Sequence, residues 1–451
     1  MDLKKSIKTC IPVIAGIITF GLTTNLVAEN YVIVANGNNF TKKMTSDIEA
    51  AGGRIAKVLP QIGVAIVEAD ANFATTASSI SGLNSISEDL VFQFADETTN
   101  DYFLTLDNVT PAEVADGNTP TDSFGFLQWD MDTIDSPDAH AAGQTGAGVR
   151  VAVLDSGIDS SHVDLVGNLN TNLSTSFVPG EAFDNPPGRH GTHVSGTIVA
   201  GLNGFGIVGV APDAELVSVK VLSAITGGGS FGGIIQGIVY AADIDADVVN
   251  MSLGIPGGLP RNIQGVSGLV TATQRAINYA YQNGVTVVAS AGNDARDMDH
   301  DASVMSFPGG LPNVITVSAT APIGWALNPT TTEMDNLASY SNFGQSSIDF
   351  AAPGGDAIYP GNEICSFGIP CWIFDLQLST VPGNAYGFSA GTSMSSPHVA
   401  GVAALIIGKN GGDMHPAQVK AALKSTSEDL GKPGRDDVFG HGRVNALNAV
   451  Q

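Results

Sequence analysis

The sequence predicts an α/β protein: a doubly wound, mostly parallel sheet with helices on both faces, preceded by a smaller α+β unit. Three observations carry this. From about Phe124 onward, short apolar runs (VRVAVLDSG, AELVSVKVL, ADVVNMSLG, GVTVVASAG, NVITVSAT) alternate with stretches of helical period. Nearly continuous Val, Ile and Leu mark strands buried on both faces, and the helices between them supply the cover. Before residue 98 the rhythm differs and the runs are shorter.

Residues from about 30 to 97 divide into YVIVANG as a strand, FTKKMTSDIEAAGG as a helix with a glycine stop, and RIAKVLPQIGVAIVEA as two strands. ATTASSISGLN gives a second helix and VFQFAD a last strand. That β-α-β-β-α-β order suits a ferredoxin-like sheet backed by two helices. From Asp96 to about Ser123 the chain is polar, with Pro and Gly, and reads as a linker. In the larger unit HGTHVSGTIVAGL, GGIIQGIVYAADI, LVTATQRAINYAYQNG and SPHVAGVAALIIGKN are the helices. Ligands of such sheets sit beyond the carboxyl ends of the strands. Asp155, Ser252 and Asn293 all follow strand-like runs.

Residues 1–28 read as an export signal. Lys4, Lys5 and Lys8 flank an apolar run from Ile11 to Leu22, and Ala28 ends a candidate cleavage site. Pro12, Gly16 and Gly21 punctuate a run already short for a membrane span, although a retained anchor is the alternative. Cys10 falls within this signal. Cys365 and Cys371 are left as an even pair in an exported chain, which predicts a local disulfide, with two free thiols as the alternative. The formal net charge of −25 argues against nucleic acid as a partner, since phosphates would be repelled. A solvated acidic surface is the plain reading. Cation binding at a few clustered oxygens is the sharper one.

Three segments carry chemistry: Asp155 in VAVLDSGID, His190 in GRHGTHVSGT and Ser393 in GFSAGTSMSSPHVAG. A serine hydroxyl becomes a nucleophile when a base takes its proton, and an imidazole is that base when a carboxylate orients it. Ser393 is placed where a helix begins, with Pro397 in the first turn and free backbone donors around it. Asp155 ends an apolar run, where a charge needs a partner such as an imidazole N–H. Asp159 is the lesser candidate. His193, three residues after His190, invites a zinc reading, but the helical zinc motif needs an i, i+4 pair with an adjacent glutamate. Asn293 in SAGND can donate to an oxyanion, together with the Ser393 N–H. Ser252-Leu253-Gly254 and Gly227-Gly228-Gly229 read as strand edges for an extended peptide.

With these motifs in this order, the region from Trp129 to the C-terminus resembles the subtilisin-like serine proteases, the subtilase family. The resemblance implies Asp155, His190 and Ser393 as the triad and Asn293 in the oxyanion hole. It implies Ser252 to Gly254 and Ser290 to Gly292 as the pocket for the side chain before the scissile bond. Phe231, close to Gly229, would edge a more distant pocket. Residues 29–123 then correspond to a propeptide (an intramolecular inhibitor and folding assistant) plus linker, and 124–451 to the peptidase domain. Structural Ca²⁺ is implied at Asp164, Asn203 and the carbonyls of Gly201, Phe205 and Ile207. The further ligand expected near Gly125 has no match. Pro256 to Val270 and Tyr359 to Gly383 are longer than in compact members. No acid is placed at the pocket floor, although Asp294 lies near the rim, so apolar side chains of medium or large size are expected there.

The expectation is therefore a secreted serine endopeptidase, made as a zymogen and monomeric, acting on proteins and peptides, with no membrane contact once the signal is removed. A peptide-binding scaffold without turnover and an esterase are the rivals. The intact motif set speaks against the first and the strand edges against the second.

Overall fold

β-Branched residues concentrate in the central strands of this protein because both faces of its main sheet are covered. The computed structural model describes residues 29–93, 98–105, 122–263 and 265–451. The segment expected to be an export signal, with Cys10, lies outside the described residues, as do Phe94 to Glu97. The N-terminal unit comprises β1 (Glu29–Ala35), α1 (Lys42–Ala50), β2 (Arg54–Leu59), β3 (Val64–Ala69), α2 (Phe73–Ala77) and β4 (Leu83–Glu88). Two strands follow, β5 (Val91–Gln93) and β6 (Thr98–Leu104).

The larger unit runs through α3 (Trp129–Thr133), α4 (Ser136–Ala141), β7 (Arg150–Asp155), β8 (Thr175–Ser176), α5 (Arg189–Val199) and β9 (Glu215–Lys220). It continues with β10 (Gly228–Ser230), α6 (Phe231–Asp243), β11 (Val248–Met251), β12 (Leu259–Pro260), α7 (Val266–Gln282), β13 (Thr286–Ser290) and β14 (Val304–Met305). Then come β15 (Val314–Ala321), β16 (Asn336–Leu337), β17 (Phe350–Pro353), β18 (Gln377–Val381) and β19 (Ala385–Ala390). Helices α8 (Thr392–Lys409), α9 (Pro416–Thr426) and α10 (Ala446–Val450) complete it.

The main sheet has the order β16-β15-β13-β11-β7-β9-β8, with β17 also on β15, and only β16 runs antiparallel. One face packs against α6 and α7, and the other against α5 and α8, so side chains of alternate strand residues enter two separate cores. The doubly wound fold is as predicted.

The N-terminal sheet, β2-β3-β1-β4, is antiparallel throughout and ferredoxin-like in order. Its alternation does two jobs. Tyr31 and Ile33 pack beneath α1 and α2, while Val32 and Val34 join the α6–α7 core of the larger unit. Here the structure corrects one expectation. The last strand of this sheet is Leu83–Glu88, not VFQFAD, because Val91–Gln93 leaves it to pair with Gly228–Ser230. Cys365 and Cys371 form the expected disulfide. Among the described residues no helix is long and apolar enough to cross a membrane.

Candidate active site

β7 is apolar and buried as far as Leu154, then ends on Asp155, whose residue is 1% exposed. A bare charge there would be costly. The Ser156 N–H donates to Oδ1 at 2.6 Å, and His190 Nδ1 lies 2.8 and 2.9 Å from the two carboxylate oxygens. A carboxylate only accepts, so Nδ1 carries the proton, and in the neutral ring Nε2 keeps its lone pair. His190 is the second residue of α5, and a methyl group at Gly191 would collide with the Gly157 carbonyl. That glycine is what lets α5 settle onto the end of β7.

His193 is separate from this pair. Its Nε2 donates to the carbonyls of Gln377 and Gly387 at 3.2 and 3.1 Å, and burial pushes its pKa down to about 3. It is a neutral strut between α5, β18 and β19. Asp159 is likewise committed: it accepts from Ser161 and from the Gly383 N–H.

Ser393 is the second residue of α8, which starts at Thr392. Pro397 therefore lies in the second turn, not the first as the sequence reading had it. The helix begins sooner because Gly391 ends β19 beside it. A prolyl nitrogen at this position cannot donate to the Ser393 carbonyl four residues back. Ser252 replaces that bond. Its hydroxyl donates to Ser393 O at 2.7 Å and accepts from Asn250 Nδ2 at 2.9 Å and from the Ser396 hydroxyl at 2.7 Å. Since a hydroxyl has one proton to give, these three bonds fix its orientation. The Ser393 hydroxyl itself rests 3.4 Å from the Ser252 carbonyl.

Asn293 follows β13 across the crevice. Its side-chain oxygen accepts from the Thr392 N–H at 2.9 Å and the Thr392 hydroxyl at 2.8 Å. Its NH₂ group is thereby turned the other way. A methyl group on Gly391 would lie 3.4 Å from Asn293 Nδ2 and 3.7 Å from the Ser393 N–H nitrogen, so both donors face one small space. Thr392 escaped the sequence reading, although the GTS triplet was its only signal. Asn342 escaped it with no local signal at all. It accepts from the Asp294 and Arg296 N–H groups and donates to Ala291 O, which pins the loop carrying Asn293.

Gly254, Ser290 and Gly292 line a small pocket beside Ser393, with Ile255 and Asp294 added. Ser252 and Leu253 lie buried behind it. Asp294 sits in the lining rather than only at the rim, with one carboxylate oxygen held by the Gly257 N–H at 2.6 Å. The second pocket is filled by the chain itself. Phe92 meets Phe231 edge-on at 5.9 Å, Phe307 lies 4.8 Å from Phe231, and Gly229 pairs with Phe92 through the backbone.

Of the cation-site residues, Asp164 accepts from Asn203 Nδ2 at 3.1 Å and from the Ile207 N–H at 3.2 Å. The sequence offers no ligand near Gly125, but a buried acid lies three residues earlier. Asp122 is 4% exposed, accepts from the Asn203 and Gly204 N–H groups, and has a buried second oxygen without a partner among the described residues. Burial, with Asp164 nearby, raises the Asp122 pKa to about 6. The carbonyls of Gly201, Phe205 and Ile207 receive no hydrogen bond from the described residues. Two buried carboxylates, an amide and free carbonyls suit a hard divalent cation. Among the described residues no group of three or more acidic, histidine or cysteine side chains gathers to hold a metal ion, so any cation here would rest on amide and carbonyl oxygens besides the two carboxylates.

A carboxylate-held imidazole and a helix-borne hydroxyl at the strand ends of such a sheet are the groups a serine endopeptidase uses. Comparison with known proteins gives the family. The model described as the subtilase family matches residues 146–442. Subtilisin E of Bacillus subtilis (strain 168) is 38% identical over 330 residues, 72% of this chain and 71% of that protein. Subtilisin Savinase of Lederbergia lenta is 38% identical over 326 residues, 72% of this chain and 99% of that one. In fold, the chain is similar to the epidermin leader peptide processing serine protease of Staphylococcus aureus. That likeness has a TM-score of 0.74 at 24% identity over 94% of this chain and 99% of that one. Fervidolysin from Fervidobacterium pennivorans follows at a TM-score of 0.70 and 24% identity, covering 96% and 62%. The chain belongs to the subtilase family.

Proposed function

We propose that Ser393, His190 and Asp155 form the catalytic triad of a secreted endopeptidase made as an inhibited zymogen. The bidentate approach of Asp155 to His190 Nδ1 is the observation that carries this reading. The Ser393 hydroxyl leaves its long contact with Ser252 O, gives its proton to His190 Nε2 and attacks the peptide carbonyl. Asn293 Nδ2 and the Ser393 N–H hold the oxyanion. His190 then protonates the leaving amine, and water hydrolyses the acyl-enzyme by the same route.

Residues 29–93 act as the propeptide. In support, β5 lies antiparallel on Gly228–Ser230, and the Asp89 carboxylate accepts the Gly232 N–H at the start of α6. Arg275 reaches back from α7 to the carbonyls of Gly37 and Ile62. The maturation bond falls between Gln93 and Thr98, and residues 1–28 direct export. Calcium, when bound, supplies positive charge between Asp122 and Asp164, with Asn203 and the carbonyls of Gly201, Phe205 and Ile207 around it. It ties the chain before α3 to the loop after α5.

A serine-directed fluorophosphonate tests the triad. It labels Ser393 in the processed enzyme and fails to label Ser393→Ala, which also stays uncut. Labelling elsewhere, or processing of the alanine variant, would overturn the assignment.

A further inference from the structure

A cleft of about 310 Å³ opens between α9 and the amino ends of β13 and β15, at the end of the main sheet away from the crevice. Small-molecule sites start at about this size. Val287, Val314 and Ile315 supply one apolar wall, and Pro416 and Ala421 of α9 supply the other. Lys420, Lys424 and His441 also line the cleft, and no carboxylate does. In a chain with 19 basic against 44 acidic residues, a general attraction for anions cannot account for such a place. The carboxylate that serves this cluster is already shared. Lys420 Nζ lies 2.7 Å and Arg435 Nη2 3.5 Å from Asp349 Oδ1, and Oδ2 accepts the Thr316 N–H at 3.2 Å. Lys424 and the His441 ring make no hydrogen bond or ion pair among the described residues. Burial and the charges of Lys424, Arg435 and Lys420 hold the His441 pKa below its usual value, with Asp349 acting the other way. The potential at the ring is therefore net positive.

A second observation is independent of charge. Thr286, the first residue of β13, belongs to the same lining and is 1% exposed, and its hydroxyl has no partner among the described residues. A buried hydroxyl left unpaired is costly, and a ligand oxygen in the cleft would pair it.

We propose that this cleft binds an apolar carboxylate, its charged end between Lys424 and His441 and its hydrocarbon against Val314 and Ile315. A bare inorganic anion would leave the apolar walls uncovered, and a neutral hydrocarbon would leave the cations unpaired. Two sources carry this chemistry: a free medium-chain fatty acid, and the new C-terminal residue of a cleaved peptide. Asn293 follows the opposite end of β13, so an occupant ties α9 to the sheet and leaves the crevice open. Binding to the folded state alone then raises stability.

The test is calorimetry and thermal melting of the full-length Ser393→Ala chain, with octanoate as the probe. One octanoate per chain is expected, with a Kd on the order of 1 mM or tighter, and a melting midpoint that rises with its concentration. Lys424→Gln removes an exposed charge, and Ala421→Trp fills the cleft. Each should keep the ligand-free midpoint of its parent and weaken octanoate binding about tenfold or more. Octanamide, the same chain without charge, and inorganic phosphate, the charge without a chain, should bind weaker than octanoate by a similar factor. N-acetylphenylalanine stands for a peptide end: tighter binding than octanoate assigns the site to cleaved peptides, and weaker binding assigns it to fatty acids. Octanoate binding that either variant leaves unchanged, octanamide or phosphate binding as tightly as octanoate, or no binding of either acid overturns the proposal. Since the nucleophile is absent from every sample, none of these outcomes bears on the triad.

Discussion

Ser252→Ala probes how the nucleophile's helix is held. Pro397 leaves the Ser393 carbonyl without its helical donor, and the Ser252 hydroxyl supplies the substitute at 2.7 Å. The alanine variant removes that donor and also an acceptor shared by Asn250 and Ser396. Leaving one buried acceptor unmet costs about 1–3 kcal/mol. A helical serine can turn its hydroxyl back to the carbonyl of the preceding turn, as Ser396 could to Ser393 O, which places the expectation near ~2 kcal/mol. Measured in the Ser393→Ala background, which prevents self-digestion, that is a fall of about 2 °C in the thermal midpoint at fixed scan rate for a chain of this length. In the active enzyme kcat should fall about tenfold with KM little changed, a loss of ~1.4 kcal/mol felt at the nucleophile rather than in the pockets. Ser396→Ala is the control, since it leaves the carbonyl paired, and its effect should be smaller. A Ser252→Ala midpoint within about 0.5 °C of its parent would refute the idea that this hydroxyl stands in for the prolyl N–H.

Three further outcomes are expected. Asn293→Ala should lower kcat on the order of 10²–10³ with KM nearly constant, the size reported for this donor in a subtilisin, a relative of this chain; steady-state kinetics on a peptide anilide decide it. Chelation of calcium should destabilise the protein more at pH 8 than at pH 5. Without a cation the folded Asp122 holds its proton up to about pH 6 against an ordinary 3.8, so stability declines as pH rises through that window and stays lower above it. Between pH 5 and pH 8 the difference is ~1.4 kcal/mol, since part of the loss is already felt at pH 5, and equal shifts of the thermal midpoint at both pH values would contradict it. Replacing Cys365 and Cys371 together by serine should cost about 2 kcal/mol, the chain-entropy value for so short a loop, with kcat/KM retained; denaturant unfolding measures it.

Much of the site was legible because its chemistry is local. Small residues must flank Asp155, His190 and Ser393 for strand ends and helix starts to approach so closely, and those glycines and serines stand beside them in the chain. Strand and helix periods likewise located the five central strands and four of the long helices. The misreadings share one cause. VFQFAD looks like a strand of the first sheet because its pattern records only that it is extended. Its pairing with Gly228–Ser230 depends on residues far along the chain. Pro397 read as a first-turn proline because no local pattern shows that a distant hydroxyl satisfies the carbonyl behind it.

By itself, then, the sequence determined the class of fold and the family and pointed to the three groups proposed as reactive, since each follows from short-range pattern or from the chemistry of a side chain among near neighbours. Only the tertiary structure decided which groups satisfy one another: Ser252 with Ser393, Thr392 with Asn293, Asn342 with the loop that carries Asn293, Asp122 with the Asn203 and Gly204 N–H groups, and β6 with β19. A buried polar atom must find a partner somewhere, but its own residue type does not say where. That choice is made when elements remote in the chain pack side by side.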